Sequence, residues 1–218
     1  MPSIAIDGPS GAGKSTVSIQ VADRLHMIHL DSGAMYRAVG MYMARQGADL
    51  QNAADVAARA DSVPLTLTFE NGQRVRLGGE DVTDELAKYS YTASQVSKVP
   101  QVREKINQIL RSIARDMGVV VDGRDIGTTV LPQANLKIYL TADPAARARR
   151  RYLELVARGM EADEAQVLRD IIQRDYEDTH RAVSPLAKAP DAVEVDCTHI
   201  DKDGVVAEIL RLARRAGL

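Results

Sequence analysis

The sequence predicts an α/β fold, a five-stranded parallel sheet with helices on both faces and a small antiparallel insert. Three observations predict it. Short apolar runs, "SIAID", "MIHLD", "VVVD", "LKIYL" and "AVEVD", recur between segments of helical period, as in a sheet buried on both faces. A glycine-rich stretch, "GPSGAGKS", joins the first run to the first helix. One stretch, "VPLTLTFENGQRVRLGGEDV", breaks this rhythm by alternating apolar and polar residues around Asn71-Gly72.

The elements follow in order. Residues 3–7 form the first strand, and the helix after the glycines turns Val17, Val21, Ala22 and Leu25 inward. Residues 27–31 form a second strand. "GAMYRAVGMYMARQG" is a helix ending near Gly47, and "AADVAARADS" is a short one. The alternating stretch predicts a β-hairpin with a tight type I′ turn at Asn71-Gly72, because that turn needs positive φ at both central residues. It places an inserted subdomain over residues 63–99.

After Pro100, "VREKINQILRSIARDMG" carries a buried stripe of Val102, Ile106, Ile109, Leu110 and Ile113 and stops at Gly118. Residues 119–122, 136–140 and 192–196 complete the parallel sheet. Asp143-Pro144 reads as an N-cap with proline at the first helical position, opening a helix to about Gly159. Further helices span residues 163–178 and 203–216.

Composition narrows the function. The formal net charge is −2, so nothing global argues for nucleic acid or an anionic membrane as partner. A single Cys, Cys197, excludes an internal disulfide and a Cys-based zinc site. No apolar run reaches the roughly 18 residues of a membrane span and no signal peptide is evident. A cytoplasmic monomer is expected.

The glycine stretch, Gly8, Pro9, Ser10, Gly11, Ala12, Gly13, Lys14 and Ser15, matches G-x-x-x-x-G-K-[ST] between a strand and a helix. Its backbone N–H groups and the helix N-terminus suit phosphates. Lys14 supplies a compact charge for the β- and γ-phosphates, and the Ser15 hydroxyl a ligand for Mg²⁺. No Asn begins the N-K-x-D motif of a guanine-binding switch.

A second anion is indicated nearby. "LDSGAMYR" places Asp31 and Ser32 at a strand's C-terminal end, where open α/β sheets bind ligands, with Tyr36 and Arg37 a turn further on. "VVVDGRDIG" ends a strand at Asp122, an acidic residue positioned to reach the metal directly or through water, and turns out Arg124 and Asp125. On "AQVLRDIIQRDYEDTHR", Val167, Ile171, Arg174, Asp178 and Arg181 follow a 4, 3, 4, 3 spacing. One stripe therefore starts apolar and ends in inward-facing charges, which are costly unless paired or bound to a ligand. The Arg-rich "DPAARARRRYLELVARG" suits a mobile lid over phosphates. The acceptor phosphate is mostly ionised at neutral pH, so no catalytic His is expected. His26, His29, His180 and His199 read as structural or exposed.

With DGPSGAGKST, LDSGAMYR, ASQVS, PQVRE, DGRDIGT and QRDYEDTHRAVSPL in this order, the chain resembles the bacterial-type cytidylate kinases, P-loop nucleoside monophosphate kinases, over nearly its whole length. The resemblance implies a P-loop kinase fold with an inserted NMP-binding subdomain and a short lid near residues 144–160. It implies transfer of phosphate from ATP, with Mg²⁺, to CMP or dCMP. Gly8 to Ser15 and Thr16 would hold ATP. Ser32, Arg37, Arg124 and Arg181 would surround the acceptor phosphate. Asp125, Arg174 and Asp178 would hold the pentose, and Ser94, Arg103 and Asp178 the cytosine. Arg147, Arg150 and Arg151 fall in the lid stretch. The chain departs from the family ahead of Ser94, where "DELAKYSYTAS" has Leu86-Ala87 in place of an Ile-Arg pair in a longer segment.

Overall fold

The computed structural model describes residues 1–218. The central sheet holds β1 (Ser3–Asp7), β2 (Ile28–Asp31), β6 (Val119–Gly123), β7 (Leu136–Thr141) and β8 (Val193–Asp196), all parallel, in the order β2-β6-β1-β7-β8. These are the five predicted strands, each within about one residue of expectation.

Alternation along the strands sends side chains to two cores. Ile4 and Ile6 of β1 pack with Val120 of β6 toward α1 (Lys14–Leu25) and α8 (Lys202–Arg215). Ala5, Val119 and Val121 face the other way, toward α2 (Ser32–Arg45) and α5 (Pro100–Asp116). Asp31 caps α2 by accepting from Ala34 N, and Pro100 opens α5.

The insert contains the antiparallel sheet of β3 (Leu65–Thr68), β4 (Arg74–Leu77) and β5 (Glu80–Asp81), a 3₁₀ segment Thr83–Tyr89, and α4 (Ser90–Val96). Val75, Leu77, Leu86 and Val96 join the same core as α2 and α5. Close approach of α4 to α2 is set at Gly40, where a Cβ would lie 2.5 Å from Thr92 Oγ1.

The hairpin differs from expectation. Thr68 pairs with Arg74, so five residues separate the strands and the ladder centres on Asn71. Asn71 and Gly72 do take positive φ, 61° and 97°. The two-residue turn lies at Gly78-Gly79, where Leu77 pairs with Glu80 and φ is 58° and 91°. That geometry makes β5, a strand the sequence reading lacked.

Two antiparallel helices, α6 (Pro144–Ala157) and α7 (Glu164–His180), close one side of the sheet edge through Ala148, Val167 and Ile171. Asp143 caps α6 as expected. Helix α7 ends at His180, so Arg181 is its C-cap and not part of the helical stripe.

Candidate active site

The parallel strands all end on one edge of the sheet, where the ends of β2 and β6 and the loop after β1 line a hollow of about 970 Å³. Its floor is the loop between β1 and α1. Gly8 is obligatory there, because a Cβ would sit 2.0 Å from the Leu140 carbonyl oxygen of β7. Gly13, in the left-handed region, caps α1. Lys14 is buried and donates to Pro9 O at 2.8 Å. Burial, followed by the field of Arg124, pulls its pKa down to about 7.

Ser10, Gly11, Gly13, Lys14, Ser15 and Thr16 line the hollow, whereas Gly8, Pro9 and Ala12 shape the loop from behind. Ser15 lies beside Asp122 at the end of β6. Burial opposes the charge of Asp122, but His29, Lys14 and the Ser15 hydroxyl outweigh it and hold the carboxyl low. No group of three or more His, Cys, Asp or Glu gathers with metal-holding geometry. A hydroxyl beside one low-pKa carboxylate does fit a divalent cation whose other ligands are phosphate oxygens and water.

Opposite the loop stands a bank of guanidinium groups. Arg124 Nε donates to Asp178 Oδ2 at 2.8 Å, and Arg37 Nη2 to Asp31 Oδ2 at 2.8 Å. Arg181 reaches Asp125 Oδ1 at 3.4 Å and Asp178 Oδ1 at 3.9 Å. Arg103 pairs with Asp125 and lies 5.5 Å over the Tyr36 ring. Ser32 Oγ donates to Asp122 O at 2.8 Å. All of these residues, with Ser94, line the hollow.

Arg174 is the exception in this bank. It makes no ion pair, and its buried Nε has no partner. Burial and the adjacent charges of Arg124 and Arg37 press its pKa down, and its donors are free for a ligand in the hollow.

The lid arginines divide. Arg151 lines the hollow, followed by Glu154 and Arg158 on the same face of α6. Arg147 and Arg150 do not. Arg147 is buried and donates to Ala142 O, Ser10 O and Asp175. Arg150 is turned to the carbonyl and sulfur of Cys197. Arg147 stands at the inner end of the same stripe, against the loop, and Arg150 stands on the face that packs on the chain after β8. Of the three arginines expected in the lid stretch, only Arg151 lines the hollow.

Sequence reasoning missed four residues here. His29, read as structural or exposed, sits in the hollow with Nε2 3.1 Å from Asp122 Oδ2. Gln73 clamps the hairpin to β2, exchanging hydrogen bonds with the Asp31 backbone at 2.8 and 3.2 Å. Asp7 accepts from Ile126 N and Gly127 N at 2.8 and 2.7 Å and so holds the turn that presents Asp125. Burial lifts its pKa to about 6. Asp175 touches the loop at Ser10. A signal existed only for Asp7, an acidic residue closing a buried strand. In the divergent segment, Leu86 is buried and Ala87 lines the hollow, so that segment brings no cation to it.

An amide-lined cradle facing unpaired guanidinium on one parallel sheet serves phosphoryl transfer, and this defines the class: a P-loop kinase. Comparison with known proteins narrows it. The model of the family described as cytidylate kinase matches residues 4–215. The chain is 46% identical to the cytidylate kinase of Pelotomaculum thermopropionicum, covering 96% of this chain and 94% of that one. It is 47% identical to the cytidylate kinase of Symbiobacterium thermophilum, covering 97% and 96%. The fold alone is shared with the crystal structure of an uncharacterized protein from Eubacterium ventriosum, with a TM-score of 0.53, 12% identity, and 97% and 98% coverage. The chain belongs to the cytidylate kinase family.

Proposed function

We propose that the protein transfers the γ-phosphoryl group of ATP to the 5′-phosphate of CMP and dCMP, yielding ADP and the nucleoside diphosphate. One observation carries the reading. Arg174, half-buried with its Nε buried and unpartnered, shares a hollow with Arg124, Arg37 and Lys14, a concentration of positive charge that suits bound phosphates.

The donor lies with its phosphates on residues 8–16, Lys14 leaving Pro9 O to meet the β- and γ-phosphates. Ser15 would hold a divalent cation with Asp122 beside it, and that cation would supply positive charge to the transferring phosphate. Ser32, Arg37, Arg124 and Arg181 orient the acceptor phosphate. An oxygen of that phosphate forms the new bond to Pγ as the bond from Pγ to the bridging oxygen breaks. Catalysis is placement and charge, and because the acceptor is already an anion no side chain needs to take a proton. Asp125, Arg174 and Asp178 hold the pentose, and Ser94, Arg103 and Asp178 face the base. Residues 63–99 supply the acceptor side. Residues 144–160 form the lid, with Arg151 as its phosphate-facing charge.

Turnover of a panel of acceptors with ATP and Mg²⁺ tests the reading. CMP and dCMP should exceed AMP and shikimate by at least about 100-fold in kcat/KM, a difference of roughly 2.7 kcal/mol. Lys14→Ala should reduce turnover to background while leaving the circular dichroism spectrum unchanged. Preference for AMP or shikimate would reject the acceptor assignment.

A further inference from the structure

Residues 174 and 175 are neighbours on α7, yet they face different ligands. Arg174 points into the hollow beside Arg124, whereas Asp175 turns to the phosphate loop. There it meets Arg147 of α6, whose Nη1 lies 2.6 Å from Asp175 Oδ2. The Arg147 side chain is 4% exposed and that of Asp175 is 21% exposed, so the pair is largely withdrawn from solvent.

Together the two side chains grip one residue. Ser10 N donates to Asp175 Oδ1 at 3.4 Å, and Ser10 O accepts from Arg147 Nη1 at 3.0 Å. Arg147 is anchored in turn by Nε to Ala142 O at 2.8 Å, at the end of the chain leaving β7. The next loop residue, Gly11, packs so closely that a Cβ would stand 3.3 Å from Arg147 Cβ and 3.5 Å from Ile171 Cδ1. The loop therefore leans on the helix pair at Ser10 and Gly11, whereas its far end is fixed by α1.

We infer that Asp175 and Arg147 form a positioning pair for the phosphate loop, so that the helix carrying the acceptor-facing Arg174 and Asp178 also sets the conformation of the donor cradle. The inference rests on the reading that residues 8–16 hold ATP. Its physical basis is geometric. A P-loop binds phosphate through N–H groups whose directions are fixed by the peptide planes, and the planes on both sides of Ser10 are pinned by a charge-assisted hydrogen bond. Loss of either partner frees those planes and leaves the other charge buried without a counterion. Neither side chain has to touch the nucleotide for donor binding to weaken.

The test compares adjacent residues on one helix. Binding of a non-hydrolysable ATP analogue with Mg²⁺, and of CMP alone, is measured by titration calorimetry on the full chain. Asp175→Asn and Arg147→Lys should each weaken the analogue at least tenfold and leave CMP within twofold. Arg174→Met should do the reverse. Combining Asp175→Asn with Arg147→Lys should cost less than threefold beyond the worse single change, because one unit has already been broken.

A single variant could lose its fold from an isolated buried charge. The double variant Arg147→Met with Asp175→Asn nearly keeps volume and removes both charges, and it should show the same selective loss for the analogue. Thermal melts report folding separately. Equal losses for the two ligands in the folded double variant, or analogue binding unchanged in it, would overturn the inference. If the wild-type chain binds the analogue but not CMP, the acceptor reading fails, and the analogue arm still decides the role of the pair.

Discussion

At the scale of single residues, Lys14 has the most consequence. An ammonium buried beside Arg124 holds its proton weakly, with its pKa pulled down to about 7. Phosphates reverse the balance, since an adjacent anion favours the charged form. Binding must therefore take up a proton wherever the free lysine is neutral, and affinity must fall as pH rises above about 7. At pH 8.5 the phosphates are fully ionised, well above their second pKa of about 6, so uptake reports the lysine alone. Calorimetry of the ATP analogue in buffers of different ionisation enthalpy should show close to one proton taken up at pH 8.5 and none in Lys14→Met. Uptake that persists in the variant would assign it elsewhere. The sequence made Lys14 legible because its motif is contiguous. His29 and Gln73 were illegible because their partners, Asp122 and Asp31, lie 93 and 42 residues away.

At the scale of elements, legibility followed burial. The five parallel strands are short continuous apolar runs, and a run with one possible environment has one reading. The α7 stripe was legible for the same reason: Val167 and Ile171 are buried and fix the phase that brings Arg174 and Asp178 inward. Helix α6 carried an equivalent signal, with 147, 151, 154 and 158 spaced 4, 3, 4. Its inner end is the buried Arg147 and its outer end lines the hollow, yet arginine density concealed the direction. In the hairpin, Asn71-Gly72 and Gly78-Gly79 compete for the tight turn, and local sequence cannot choose between them. The clamp from Gln73 to the Asp31 backbone draws the first loop toward β2, and Gly78-Gly79 closes the two-residue turn instead. The consequence is measurable. Gly79→Val, at φ 91°, should destabilise the protein by about 1–3 kcal/mol in urea unfolding, because a β-branched residue is strained there. Gly72→Val meets the same backbone strain at φ 97°, but a five-residue loop can re-form around it where a two-residue turn cannot, so it should cost less. Equal costs would show that the five-residue loop is held as rigidly as the two-residue turn.

At the scale of the whole molecule, two apolar cores sandwich one sheet, and the cost of the charged hollow falls on both. The chain has a net charge of −2, yet Arg174 stands half-buried with its Nε unpartnered, and burial and Arg124 outweigh the attraction of Asp178. A site that keeps such a group trades stability for ligand binding. Arg174→Met retains the stem and its packing while removing the charge. The empty variant should therefore be more stable than the wild type by about 1 kcal/mol, following the gain seen when buried charges give way to apolar side chains. Its melting temperature should be higher by a few degrees, as expected for a chain of this size. Added CMP should reverse the order. It stabilises the wild type by RT ln(1 + [L]/Kd), about 2.7 kcal/mol at one hundred times Kd. The variant, with CMP affinity at least tenfold weaker, should gain about 1.4 kcal/mol less at the same concentration. Melting curves with and without CMP therefore cross between the two proteins. A variant less stable than the wild type when empty would show that Arg174 is satisfied by its surroundings, and the claim that an unpaired cation marks the acceptor site would lose its main support.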